Sequence, residues 1–124
     1  PADTRKLNRI TMPRIEEVYT DRLSELEKEG CEAVVVEYSV FKNRMSSLAY
    51  SADVVIAVLA PLETRIERAV ASGFDEGDVR RRIARQITDA DRIEAADVVF
   101  NNDSSKEELR NEVIAWWSKY RETI

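Results

Sequence analysis

The chain has 124 residues, a formal net charge of −5 and 35% charged residues, which fits one globular domain over residues 1–124. It has no histidine and one cysteine, Cys31, which excludes Ser-His-Asp and Cys-His catalysis, histidine-ligated metals and an internal disulfide. The acidic balance argues against general nucleic-acid binding, and no apolar run approaches the roughly 20 residues of a membrane span. We therefore expect a cytoplasmic domain that binds no metal through these residue types and contacts neither nucleic acid nor membrane.

The first half of the chain predicts a helix, a strand and a long irregular segment. Apolar residues at helical spacing predict a helix over Pro13–Glu29, with Pro13 in its first turn and Gly30 at its left-handed cap. The β-branched run Ala33–Val36 predicts a buried strand. Glu37–Ser51 is polar and irregular, which predicts a loop with or without a short helix.

The second half of the chain alternates between strands and helices. The apolar run Asp53–Leu59 predicts a strand covered on both faces, a pattern typical of parallel sheets. The later predicted elements are a helix from Leu62 to near Gly73, a helix capped by Asp75, a short helix at Asp91–Ala95, a strand at Val98–Phe100, and a last helix opened by Ser105 and Glu108. This order predicts an α/β fold with a three-stranded, mostly parallel sheet and flanking helices.

Four arginines within six positions form the strongest candidate for chemistry: Arg80, Arg81, Arg82 and Arg85. Their planar groups suit phosphate oxygens. From spacing alone we favour a solvated helix, because surface ion pairs are common and weak. The acids that would neutralise it are Asp75, Glu76, Asp78, Asp89 and Asp91. Glu63 and Glu67 would neutralise Arg65 and Arg68 in the same way.

Two further patterns bear on ligand binding. A phosphate-cradling P-loop needs glycines five positions apart, followed by Lys and then Ser or Thr. The glycines are Gly30, Gly73 and Gly77, so the sequence contains no P-loop. Asn101–Asp103 follows a strand, where open α/β sheets bind ligands, but a simple turn is the interpretation we favour.

The ordered set of motifs resembles the dephospho-coenzyme A kinase family. The resemblance runs without a break in order from about Leu7 to the end of the chain. Its segments are Leu7–Ile15, similar to the family's Leu-Asn-x-Ile-x-His-Pro-x-Ile; Ala52–Val58, similar to its fourth core strand; Ile66–Arg68 in the next helix; Arg82-Ile83-x-x-Gln86 in the lid helix; and Ala96–Asn102 with Ser105–Leu109, similar to its last strand and helix.

The resemblance implies a partial P-loop kinase fold, with a lid region at about 74–96, and phosphoryl transfer from ATP to the ribose 3′-hydroxyl of dephospho-coenzyme A. Arg82 is then a lid residue that faces the phosphates, Arg68 lies against the adenine, and Gln86 and Asn102 contribute to nucleotide binding. In the family, the preceding region supplies the P-loop and a catalytic aspartate. We therefore expect residues 1–124 alone to hold neither ATP nor Mg²⁺ as cofactors and to show no turnover.

Three departures from the family pattern favour an alternative function. Met12 stands where the family has histidine, Ser72 where it has a second arginine, and Glu37–Asn43 replaces an acceptor-binding segment. The alternative is a non-catalytic binding or assembly module derived from a nucleotide kinase scaffold; another is a small α/β protein whose arginine helix contacts an acidic partner. The family sheet has a further strand between Ala33–Val36 and Asp53–Leu59, so we expect these two to pair directly or the chain to form homo-oligomers through exposed edges.

Overall fold

The computed structural model describes residues 2–39 and 41–124. These form two compact units, Pro1–Phe41 and Lys42–Ile124. The first unit contains one long helix and an irregular segment, and the second contains both strands of the described chain. Within the described ranges, no helix combines the length and the apolar character needed to cross a bilayer.

The long helix of the first unit, α1, covers Ala2–Lys28. The predicted start at Pro13 is wrong, because Pro13 lies inside the helix. Proline removes the N–H that would bond to the carbonyl of Arg9, at a cost of roughly 3 kcal/mol. The helix continues through Pro13 because the residues before it include Ala, Arg, Lys and Leu, which are strong helix formers.

The end of α1 confirms the predicted glycine cap. Gly30 has φ 77°, its N–H donates to the Glu27 carbonyl at 3.0 Å, and the Cys31 N–H donates to the Leu26 carbonyl at 3.1 Å. This pair of bonds is a Schellman motif, which needs a left-handed residue at the glycine position. Gly73 has φ 95° and ends its helix in the same way, also as predicted.

The run Ala33–Val36 is not a strand, so the predicted three-stranded sheet is wrong. No ladder bond joins this run to another described segment, and Val35 is 90% exposed. A groove of about 260 Å³ lies between the run and the Tyr19 and Leu26 side of α1. β-branched residues favour extended backbone, but a strand also needs partners for its N–H and C=O groups. Val40, within the segment Glu37–Asn43, lies outside the described residues.

The second unit confirms the α/β class. Its elements are α2 (Ser47–Tyr50), β1 (Ile56–Leu59), α3 (Leu62–Ala71), α4 (Glu76–Ile83), α5 (Asp89–Ala95), β2 (Val98–Asn101) and α6 (Lys106–Arg121). The strands β1 and β2 pair in parallel, with Ile56 opposite Val98 and Leu59 opposite Asn101. The short helix α2 lies inside Glu37–Ser51, the segment predicted as a loop with or without a short helix.

Side-chain caps determine where the later helices begin. The Asp75 carboxylate accepts the N–H three residues on at 2.9 Å, as predicted for α4. Ser105 and Glu108 form the predicted capping box of α6. Helix α5 starts two residues earlier than predicted, because a capping box that begins at Thr88 opens it.

Buried residues of the second unit lie on both faces of the two-stranded sheet, because Ala57 is buried on one face and Phe100, which pairs with Val58, is buried on the other. Ile66 of α3 is 3% exposed, and Phe100 of β2 is buried with its ring edge against Trp116 of α6 at 5.9 Å between centroids. On β1, Ile56 and Val58 are 40% and 55% exposed. The prediction that this strand is covered on both faces is therefore wrong for the described residues, which cover one side of it.

Asp97 ties the two strands together at their amino ends. Its carboxylate accepts the Val55 N–H at 2.8 Å and a hydrogen bond from the Arg44 guanidinium. These contacts, the Val55 amide first, hold the pKa of Asp97 below its ordinary value of 3.8. Because Val55 directly precedes β1 and Asp97 directly precedes β2, the carboxylate sets the start of the parallel pairing.

We expect Asp97→Ala to lower the free energy of unfolding by about 1 kcal/mol. This is less than a buried charged hydrogen bond contributes, because the Asp97 and Arg44 side chains are partly exposed and solvent screens their charges. The Asp97 contribution is complete above the carboxyl's unfolded-state pKa and is lost as the pH falls through its lower folded-state pKa. Denaturant unfolding followed by tryptophan fluorescence, repeated across acidic pH, measures both effects. Asp103→Ala is the matched control, and an equal loss in the two variants would contradict the role of Asp97.

Candidate functional site

Two residues implied by the family resemblance meet at the carboxyl end of the sheet. Arg68, on α3, donates through Nη1 to the Asn102 carbonyl at 2.8 Å. Asn102 follows β2, and its own N–H donates to the carbonyl of Leu59, the last residue of β1, at 2.6 Å. The strand pairing therefore brings the arginine and the asparagine together at the edge where open α/β sheets bind ligands.

Both side chains at this edge have free hydrogen-bonding or stacking capacity. Arg68 is exposed, and its hydrogen bond to a carbonyl uses the edge of the guanidinium rather than its flat face. The half-buried Asn102 side-chain amide has no hydrogen-bond partner among the described residues. An aromatic ring can stack on the guanidinium while the neighbouring amide reads the edge of that ring.

The four-arginine segment divides into a paired half and an unpaired half. Arg80 donates to both carboxylate oxygens of Glu63, at 3.2 and 3.0 Å, and to Glu76 at 2.9 Å. These contacts, the Glu63 hydrogen bond first, raise the pKa of Arg80. Arg81 forms an ion pair with Asp78. For these two arginines the neutralised-helix interpretation is confirmed.

Arg82 and Arg85 form the unpaired half. Both are exposed, and neither has an ion pair or hydrogen bond with a side chain in the described part of the chain. Arg82 lies one position before Ile83, the last residue of α4, and Arg85 lies in the turn that follows the helix. Two such unpaired guanidinium groups, three residues apart, leave positive charge available for an anion.

The expected neutralisation of Arg65 and Arg68 by Glu63 and Glu67 is wrong. Glu63 pairs with Arg80 of α4, and Arg65 pairs with Asp89 of α5 at 3.3 Å. Arg68 bonds to a carbonyl instead of a carboxylate. Spacing along one helix could not show this, because helices later in the chain supply the partners.

Gln86 lies in the turn between α4 and α5, where its Oε1 atom accepts a hydrogen bond from Arg92 at 3.5 Å. No hydrogen bond or ion pair joins Gln86 or Arg82 to the Arg68–Asn102 pair within residues 2–39 and 41–124. The sequence interpretation missed Arg92 and its ion pair with Asp89 at 3.0 Å. Their spacing of three residues on one helix was the available signal.

The described residues offer no cluster of three histidine, cysteine, aspartate or glutamate side chains that could hold a metal ion. The acids nearest the lid arginines, Glu63, Glu76 and Asp78, are engaged by Arg80 and Arg81. These side chains, already paired with arginines, therefore do not fit a Mg²⁺ site.

Comparison with known proteins identifies similar sequences. The dephospho-CoA kinase family model matches residues 1–108. The chain is 42% identical over 120 residues to a dephospho-CoA kinase of Corynebacterium jeikeium, an alignment that covers 94% of this chain and 60% of the relative. It is 40% identical to the dephospho-CoA kinase of Corynebacterium efficiens, in an alignment that covers 86% of this chain and 53% of the relative. It is 34% identical to that of Thermobifida fusca, in an alignment that covers 96% of this chain and 58% of the relative. The chain thus spans between about half and three fifths of these relatives.

The division of the arginines predicts unequal effects on stability. We expect Arg80→Ala to lower the thermal midpoint measurably, because it removes the contacts that join α4 to Glu63 of α3. Arg82→Ala, the matched control on the same helix, should leave the midpoint unchanged within error. Thermal unfolding by circular dichroism measures both midpoints, and an equal decrease would show that Arg82 has a partner that stabilises the fold.

Proposed function

The chain belongs to the dephospho-CoA kinase family, and we propose that it supplies the lid and base-pocket contacts for ATP-dependent phosphorylation of the ribose 3′-hydroxyl of dephospho-CoA. The single observation that carries this proposal is the unpaired state of Arg82 and Arg85 beside the paired Arg80 and Arg81. A lid that recognises phosphate needs guanidinium groups without carboxylate partners, and α4 with its following turn offers two.

Arg82 faces the phosphates in this proposal. Its guanidinium neutralises charge that builds up on the transferred group, the usual role of lid arginines in phosphoryl transfer. Arg85 adds a second cation three residues later, in the turn where its N–H donates to the Arg82 carbonyl at 3.1 Å. Both can bind phosphate oxygens without first breaking an ion pair to a described residue.

Arg68 and Asn102 hold the base. The hydrogen bond to the Asn102 carbonyl fixes the orientation of the Arg68 guanidinium, whose flat face then lies against the adenine. The Asn102 amide, without a described partner, meets the edge of the purine. Gln86 contributes a further polar contact from the turn after α4.

The proposal includes a partial P-loop kinase fold in which residues 1–124 are one domain and the lid, at about 74–96, contains α4 and α5. The parallel pairing of β1 and β2 supports this fold. The exposed Ile56 and Val58 give β1 an uncovered apolar face, and its outer edge has no strand partner in the described ranges. Homo-oligomer formation through these open edges belongs to the same proposal.

A binding or assembly module is the second candidate. Met12, Ser72 and the segment Glu37–Asn43 depart from the family pattern. Ser72 stands where the family has a second arginine, and its hydroxyl donates to the Arg68 carbonyl at 3.0 Å at the end of α3. The Ser72 hydroxyl carries no charge, unlike the arginine that the family has at this position. The loss of this positive charge favours a protein that contacts nucleotide without transferring phosphate.

Titration with ATP, followed by NMR of the arginine and amide side chains, tests the proposed contacts. Without a P-loop the chain is not expected to hold ATP as a cofactor, so the lid and base contacts alone should give only weak shifts, which saturate at millimolar ATP, at Arg68, Arg82, Gln86 and Asn102. Arg82→Ala should raise the Kd about tenfold, the effect of losing one charge-assisted contact. Arg81→Ala is the control, because Arg81 is already paired with Asp78. Equal loss in both variants would indicate nonspecific attraction and contradict the site.

We expect the purified 124-residue chain to show no kinase turnover, because its sequence contains no P-loop to hold the donor phosphates. An assay that couples ADP release to a colorimetric signal, with ATP, Mg²⁺ and dephospho-CoA, measures this. The control is the same assay with a longer relative such as the Corynebacterium jeikeium enzyme. Turnover by the 124 residues at a comparable rate would overturn the expectation.

A further inference from the structure

We infer that Arg92 is a positioning residue that fixes the Gln86 side chain as a hydrogen-bond donor toward a phosphate oxygen of the nucleotide. The inference rests on the proposed function, since it assigns a partner to Gln86 in that same site. It concerns the turn between α4 and α5, residues 84–88, which carries both Arg85 and Gln86.

Arg92 holds this turn at several points. From α5, its Nη1 atom donates to the Ile87 carbonyl at 2.8 Å and to Asp89 Oδ1 at 3.0 Å, and its Nη2 atom donates to Gln86 Oε1 at 3.5 Å. The Arg92 side chain is only 23% exposed. One planar guanidinium thus contacts a backbone carbonyl, a carboxylate and an amide, a set that needs its fork of donors.

Asp89 connects the turn to α3. Its Oδ2 atom accepts from Arg65 Nη2 at 3.3 Å, while its Oδ1 atom binds Arg92. The chain Arg65–Asp89–Arg92 therefore anchors the turn to the helix that also carries Arg68. Side chains therefore connect α5, which follows this turn, to α3, which carries Arg68.

The contact with Arg92 sets the direction of the Gln86 amide. Because Oε1 accepts from the guanidinium, the amide nitrogen and its two N–H donors point away from Arg92. Gln86 is exposed, so these donors face solvent. Donors on the residue that directly follows the unpaired Arg85 suit an acceptor-rich group such as phosphate.

Side-chain order provides the test that does not depend on ATP. In Arg92→Lys, an ammonium keeps the charge but cannot span the three acceptors. We expect the Gln86 side-chain amide to lose order in ¹⁵N relaxation, and the protected amides of Arg85 and Gln86 to exchange about tenfold faster. Arg81→Lys is the matched control. An unchanged Gln86 amide in folded Arg92→Lys would overturn the inference.

A double-mutant cycle in ATP binding separates positioning from general stabilisation. Gln86→Ala and Arg92→Lys should each raise the Kd for ATP by roughly threefold to tenfold, and the double variant should bind like Gln86→Ala alone. Additive losses would show that Arg92 acts independently of Gln86 and would overturn the inference. Asp89→Asn, which keeps the guanidinium but weakens its anchor, repeats the cycle if Arg92→Lys does not fold.

The two experiments distinguish failure of the inference from failure of the proposed function. If the wild-type chain shows no ATP-dependent shifts at millimolar ATP, the proposed nucleotide contacts are overturned, and with them the phosphate partner assigned to Gln86. If ATP binds and Gln86→Ala has no effect, the nucleotide site stands and the role of Gln86 and Arg92 is overturned.

Discussion

The parallel pairing of β1 and β2 is the constraint on which the rest of the second unit depends. Asp97 closes the pairing at the amino ends, and the bond from the Asn102 N–H to the Leu59 carbonyl closes it at the carboxyl ends. This register sets where β2 ends, and therefore which backbone carbonyl Arg68 of α3 can reach. A slip of one residue would turn every side chain of β2 to the opposite face and remove the Phe100 ring from its contact with Trp116.

Local signals in the sequence predicted the ends of helices well. Gly30, Gly73, Asp75 and Ser105 act as expected, because a cap depends on residues within one turn of itself. The strand prediction for Ala33–Val36 failed because a strand depends on a partner edge from elsewhere in the chain, and composition carries no information about that edge.

The sequence predicted which residues belong to the candidate site, but not which hydrogen bonds and ion pairs they form. Family motifs pointed to Arg68 and Asn102, which are 34 positions apart and are joined by a hydrogen bond. Which arginines of α4 are free could not be deduced from spacing, because Glu63, the acid that engages Arg80, lies 17 residues earlier on α3. Spacing places Asp89 among the acids that would neutralise that helix, but its carboxylate bridges Arg65 and Arg92 instead.

The proline within α1 divides that helix into two hydrogen-bonded stretches. Because Pro13 has no N–H, the Arg9 carbonyl accepts no backbone hydrogen bond from it. The turns on either side of Pro13 are therefore joined by one hydrogen bond fewer than other neighbouring turns of the helix. Unfolding that begins in the turns before Pro13 can therefore stop at the proline. The portion after Pro13, which ends in the Schellman motif, can stay helical while the earlier turns unfold. The carboxyl-terminal part of α1 is thus more resistant to local unfolding than the part that precedes Pro13.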